Sequence, residues 1–183
     1  MTKKLKLEEL GRMDVNSFKK TKKIPLVLVL DNVRSMYNVG AVFRTADAFL
    51  VEKILLCGIT PKPPHREIHK TALGATESVD WQYFKSVKDA VLDLKTRKYE
   101  VLGIEQTTNS VRISDYKINS SKKYAVIFGN EVEGISDEIL PFCDGFIEIP
   151  QLGTKHSLNV SVCAGIVIWE FFRYLQNVSK TTC

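Results

Sequence analysis

Five short apolar runs punctuate the chain, separated by polar or amphipathic stretches. Leu26-Val27-Leu28-Val29-Leu30 is continuous, as expected of a strand buried on both faces. Ile54 to Cys57, Val101 to Ile104, Tyr124 to Phe128 and Phe146 to Ile149 read as four more strands. Helical spacing appears from about Val39 to Phe49. It recurs from Val87 to Arg97, where Val87, Ala90, Val91 and Leu94 share a face, and from Val160 to Leu175. A short helix is expected near Leu5–Arg12, and Pro61-Lys62-Pro63-Pro64 must be loop. Strands alternating with helices predict an α/β fold, a mostly parallel sheet flanked by helices. In such sheets ligands collect beyond the carboxyl ends of the strands. That rule marks Asp31, Glu105, Gly129 and Pro150, each with the residues after it, as the candidate site.

Charge sharpens the division of the chain. The formal net charge is +5 over 183 residues. Residues 1–25 hold eight basic and three acidic side chains, and the remainder is balanced. The expected organisation is a basic N-terminal arm over 1–24, one domain over 25–177 and a short tail over 178–183. Such an arm binds phosphates by counterion release, or is simply a solvated leader. Cys57, Cys143, Cys163 and Cys183 include no CxxC pair, so no disulfide framework or metal knuckle is expected. The opening residues lack the apolar stretch of a signal peptide, and no apolar run has the roughly 20 residues a bilayer requires. The chain reads as cytoplasmic, with no membrane partner.

Three segments hold the candidate chemistry. In Asn38 to Ala46, Arg44 stands among small and apolar neighbours. A buried Arg there would need a carboxylate such as Asp47 or Glu131. Phe128-Gly129-Asn130-Glu131-Val132-Glu133-Gly134 spaces two glycines like a phosphate-binding loop. The required Lys-Ser/Thr pair is Ile135-Ser136 instead, so that reading fails. A plain turn with Ser136 capping the next helix is the simpler account. Ile149 to Val162 runs from a strand through a polar loop to a helix, with Ser157 or Asn159 as its cap. His65 and His69 have the spacing of helical metal ligands but no third ligand, so no metal is expected. His156-Ser157 lacks the G-x-S-x-G elbow of a hydrolase. The dinucleotide fingerprint G-x-G-x-x-G is absent.

Together these segments resemble the SpoU/TrmH-type RNA 2'-O-methyltransferases of the SPOUT superfamily. The motifs are Asn38, Gly40-Ala41 and Arg44-Thr45; then Gly129, Glu131 and Gly134; then Ile149-Pro150, Gly153 and Ser157-Leu158-Asn159-Val160-Ser161. They span roughly residues 25–175, in the family's order. The resemblance implies a C-terminal deep trefoil knot and S-adenosylmethionine as cofactor. It places that cofactor at Ile104, Glu105, Gln106, Gly129, Asn130, Ile149, Pro150, Ser157 and Leu158. It assigns catalysis to Arg44, with Asn38, Glu131, Ser157 and Asn159 orienting Arg, ribose and cofactor. It also implies a homodimer, with the final helix as the expected interface. Roughly 25 residues precede the first strand, too few for the RNA-binding domain many relatives carry. Recognition is then expected from the core dimer, the arm and the loop holding Lys62, Arg66 and Lys70, with tRNA favoured over rRNA as the substrate. The alternatives are a non-catalytic RNA-binding protein of the same fold and an enzyme that methylates a base.

Overall fold

A computed structural model describes residues 2–176; the expected tail at 178–183 and Cys183 lie outside the described residues. Seven strands form one sheet: β1 (Ile24–Asp31), β2 (Val51–Cys57), β3 (Trp81–Phe84), β4 (Tyr99–Ile104), β5 (Val111–Arg112), β6 (Lys123–Phe128) and β7 (Gly145–Glu148). Their order is β3-β2-β1-β6-β4-β7-β5, and every pairing is parallel. The helices are α1 (Val15–Lys20), α2 (Met36–Ala48), α3 (Arg66–Ala72), α4 (Ala75–Ser78), α5 (Val87–Thr96) and α6 (Val160–Leu175). Among the described residues no helix is long and apolar enough to cross a membrane.

The β1 run explains why the sheet is buried on both sides. Leu26, Leu28 and Leu30 point into one apolar cluster with residues of α1 to α4 and α6. Val27 and Val29 point into another with α5 and the 3-10 turn Asp137–Phe142. This is the period-2 alternation of a strand, with an apolar layer awaiting each face. Phe18 of α1 is buried in the first cluster, so the basic arm is tied to the domain before β1 begins. The short helix expected near Leu5–Arg12 is a four-residue 3-10 helix, Leu7–Leu10.

Two helices carry the residues of the first and third motifs. Ser35 caps α2 by accepting from the Asn38 N–H at 3.3 Å, so α2 starts three residues before the apolar pattern does. Asn159 caps α6 by accepting from the Ser161 N–H at 2.9 Å, and α6 spans the predicted Val160–Leu175. The helices run side by side in the same direction. Asn159 bonds Asn38 near their starts, while Phe49 packs on Trp169 and Phe172 near their ends.

Helix α3 presses on α2 at Gly40. A Cβ there would sit 2.1 Å from Thr71 Oγ1 and 2.3 Å from the Ile68 carbonyl oxygen. Gly40→Ala is therefore expected to push α3 away and destabilise the fold by about 1–3 kcal/mol. Denaturant unfolding of the two proteins checks this, and an unchanged midpoint contradicts it.

Candidate functional site

The carboxyl ends of β4, β6 and β7 open into a cleft of about 540 Å³. Ile104, Glu105 and Gln106 form the wall from β4, and Gly129 with Asn130 the wall from β6. Ile149, Ser157 and Leu158 close it from the loop after β7. Glu131 and Asn159 also line it, whereas Pro150 and Arg44 do not. Of the strand-end marks, Glu105 and Gly129 line this cleft while Asp31 and Pro150 do not, and Asn38 is buried outside its lining.

The Gly129 turn is built for close approach. Asn130 and Gly134 exchange backbone bonds of 3.0 and 3.2 Å, and Asn130 Oδ1 accepts from the Val132 and Glu133 N–H groups at 2.8 Å. A Cβ on Gly129 would lie 2.0 Å from the Gly134 carbonyl carbon. Gly134 has φ +71°, the left-handed region that favours glycine. Glu105 braces the turn by accepting from the Ile135 N–H at 3.2 Å, and it accepts from the Gln106 N–H at 3.0 Å. Ser136 precedes the 3-10 turn, but its hydroxyl makes no cap; its N–H donates to buried Asp31 at 2.8 Å.

At the cleft mouth three motif residues meet in one chain of hydrogen bonds. Asn159 Oδ1 faces the Ser161 N–H, so its amide nitrogen points away and donates to Asn38 Oδ1 at 3.1 Å. Asn38 Nδ2 in turn donates to Glu131 Oε1 at 3.1 Å. The backbone donor at one end and the carboxylate at the other fix both amide orientations. Glu131 also accepts from the Arg34 and Ser35 N–H groups at 3.2 and 3.3 Å. Partial burial pushes its carboxyl up, but the bonds from Arg34, its own N–H, Asn38 and Ser35 outweigh that and hold it below the ordinary range. Glu131 is thus ionised at neutral pH and a weak base. Its role here is to anchor the 34–38 turn.

The expected pairing of Arg44 with a carboxylate is not made. Arg44 is exposed on α2, so water replaces the partner that a buried guanidinium would need. Asp47 instead accepts from the Ser78 hydroxyl, and Glu131 is occupied as described. On α6, which packs against α2, Val162, Ile166 and Trp169 are exposed.

The cleft wall holds Glu105, Glu131, Glu133 and Glu148 and no lysine or arginine. Its electrostatics suit a cationic ligand and oppose a phosphate. Cys163 also lines it, with its thiol pushed up to about 11 by burial and by Glu105, so it stays protonated and is no nucleophile. Among the described residues no His, Cys, Asp and Glu side chains group as a metal site; His65 caps α3 by accepting from the Glu67 N–H at 3.2 Å.

Sequence reasoning missed Arg34 and Cys163 at or beside the cleft. Cys163 was readable only as an apolar helix position, and Arg34 as part of a turn. The model of the SpoU rRNA Methylase family matches residues 25–169. The 23S rRNA (guanosine-2'-O-)-methyltransferase RlmB of Neisseria meningitidis serogroup B is 32% identical over 156 residues, covering 85% of this chain and 60% of that protein. The crystal structure of the A. aeolicus TrmH/SpoU tRNA modifying enzyme superposes with a TM-score of 0.77 at 26% identity, covering 90% of this chain and 81% of that one. The AdoMet-bound rRNA methyltransferase of Sinorhizobium meliloti superposes with a TM-score of 0.76 at 25% identity, covering 85% and 62%.

Proposed function

The chain belongs to the SpoU rRNA Methylase family, and on that premise we propose that it transfers a methyl group from S-adenosylmethionine to a ribose 2'-hydroxyl of tRNA, as a homodimer. The observation that carries this reading is the Glu131–Asn38–Asn159 chain at the mouth of an acidic cleft. It brings together one residue from each of the three family motifs.

The cofactor fits the cleft on its chemistry. S-adenosylmethionine bears a sulfonium, whose methyl is electrophilic, and the four glutamates supply the matching negative field. Gly129 lets a ligand reach the backbone, and the strand ends at Ile104 and Ile149 line the approach. Pro150 is assigned to the same group as the start of the loop that closes the cleft.

The remaining task is to make a nucleophile of a hydroxyl that is a very weak acid. Asn159 lines the cleft and keeps one amide N–H, beyond its bond to Asn38, to hold the ribose in line, while buried Asn38 fixes its orientation. Ser157 lines the same wall with its hydroxyl available. Arg44 stabilises the developing alkoxide or passes its proton on with a substrate phosphate; a guanidinium holds its own proton too tightly to be a base alone.

Arg44 does not line the cleft of its own chain, and that favours the homodimer. The exposed Val162, Ile166 and Trp169 give an apolar stripe to α6, which packs against the helix that carries Arg44. Burying that stripe against a second copy carries each Arg44 to the shared boundary, within reach of the other copy's cleft. The trefoil knot belongs to the same reading, supported by α6 packing back on β1 and α2 after β7. Preference for tRNA is supported by the likeness to the A. aeolicus tRNA modifying enzyme.

Labelled S-adenosylmethionine incubated with bulk tRNA, and separately with rRNA, tests the reading. Label is expected in tRNA, as 2'-O-methylated nucleosides by mass spectrometry. Label only in rRNA removes the substrate choice. A methylated base removes the chemistry, and RNA binding without any cofactor binding favours the non-catalytic reading.

A further inference from the structure

A second concavity lies outside the cleft, on the α3 side of the sheet. Pro63 and Pro64 form one wall, Arg66, His69 and Lys70 of α3 another, and half-buried Trp81 the third. Its volume is about 670 Å³. His65 and Thr76 complete its rim, and Glu77 is the only acidic residue in its lining. Lys62 adds a further cation beside it, over the Tyr83 ring. We propose that this groove docks single-stranded RNA, taking nucleotides that flank the target ribose.

The proposal rests on the methyltransferase reading and adds the place where the polyanion is held. The cofactor cleft cannot hold it, because four carboxylates line that cleft with no lysine or arginine against them. RNA phosphates must find their cations elsewhere. The groove offers exposed Arg66, without a hydrogen bond or ion pair among the described residues, and Lys70, whose three donors exceed its single bond to Glu67. Trp81 offers an aromatic wall of the kind on which bases stack regardless of sequence. Prolines at 61, 63 and 64 restrict the loop before binding, so little entropy is lost on docking.

Continuity with the reaction site is the second observation. Tyr37 adjoins Asn38 on α2, is exposed, and bonds Glu67 of α3 through its hydroxyl. Lys70 lies over the Tyr37 ring at 6.0 Å from its centroid. Thr71 donates to the Tyr37 carbonyl at 3.0 Å and locks α3 to α2. Exposed Tyr37 and Lys70 thus lead toward the groove from beside Asn38, which is itself buried under the Glu131 and Asn159 side chains it bonds. A strand with its ribose at the cleft mouth runs over Tyr37 into the groove within a few nucleotides.

The test is fluorescence anisotropy of the full chain with labelled bulk tRNA and a labelled single-stranded oligonucleotide, at several salt concentrations. Arg66→Glu is expected to weaken binding of both about tenfold. Arg66→Ala and His69→Ala should act in the same direction, Arg66→Ala also flattening the salt slope by about one. Melting temperature and S-adenosylmethionine affinity should stay at wild-type values. Lys98→Glu, just before β4 and across the sheet from β3, should leave binding within about twofold. Equal losses from Lys98→Glu and Arg66→Glu mean a general charge effect and overturn the proposal. Unchanged RNA binding in all the groove variants, or none in the wild type, also overturns it; the former leaves a protein ligand as the occupant. Failure of methyl transfer is read separately, so a wrong reaction and a wrong groove are distinguishable.

Discussion

Replacing Arg44 with alanine is expected to slow methyl transfer by about two to three orders of magnitude while S-adenosylmethionine still binds. The two effects separate because Arg44 is absent from the cleft wall yet matches the family's first motif. Its side chain is exposed and makes no ion pair among the described residues, so removing it costs the fold almost nothing. Any loss of activity then reports on the reacting atoms. Mixing makes the test sharper. Arg44→Ala and Asn159→Ala are each expected to be nearly inactive alone, and mixed dimers should regain part of the wild-type rate. Recovery is expected on the proposed homodimer, in which one of the two shared sites then holds an intact Arg44 and an intact Asn159. Mixtures that remain inactive would remove the shared-site arrangement, and a fully active Arg44→Ala would remove Arg44 from catalysis.

Gly129→Ala is the change expected to do most damage to the site itself. The added Cβ would lie 2.0 to 2.2 Å from three backbone atoms of Gly134 and Ile135. Backbone cannot rotate aside as a side chain can, so the paired bonds between Asn130 and Gly134 must break or β6 must shift. The cost is roughly 3 kcal/mol, the upper end of ordinary overpacking. In a domain of this length that lowers the melting temperature by about 6–12 °C. Cofactor binding should be lost as well, because Gly129 and Asn130 form one cleft wall. Thermal unfolding and calorimetric titration with S-adenosylmethionine measure the two consequences. Near-normal binding with a small thermal shift would show that the turn is more compliant than its bonds indicate.

The legible part of the fold was the part under the strongest apolar pressure. β1, β2, β4, β6, β7 and α6 lie where continuous or periodic runs placed them, because each is buried on at least one face. The elements that escaped are short or exposed. β3 is a four-residue edge strand with none of its residues buried, and β5 has two residues, both exposed. α3 has seven residues and only Ile68 and Ala72 buried, so its periodicity is too brief to read, and its histidines drew notice as metal ligands instead. At the site, residue types and order pointed to Asn38, Glu131 and Asn159 but not to the order in which they bond. Pairing depends on side-chain direction and solvent access, which is why Arg44 was given Asp47 or Glu131 and has neither. Arg66, by contrast, was expected to serve RNA recognition from a loop; it opens α3 instead, and nothing in the sequence places Trp81 opposite it.

The hydrogen bond between Asn38 and Asn159 spans 121 positions of the chain. It joins α2 to α6, so the candidate site has no local precursor. Sheet pairing already demands distant contacts, with β1 meeting β6 about a hundred residues later. Such topologies close large loops before their contacts reward them, and they fold slowly. A chain still emerging from the ribosome can form neither the bond to Asn159 nor the apolar layer that α6 lays on β1 and α2. The candidate site and that half of the core therefore assemble together, once α6 has been released.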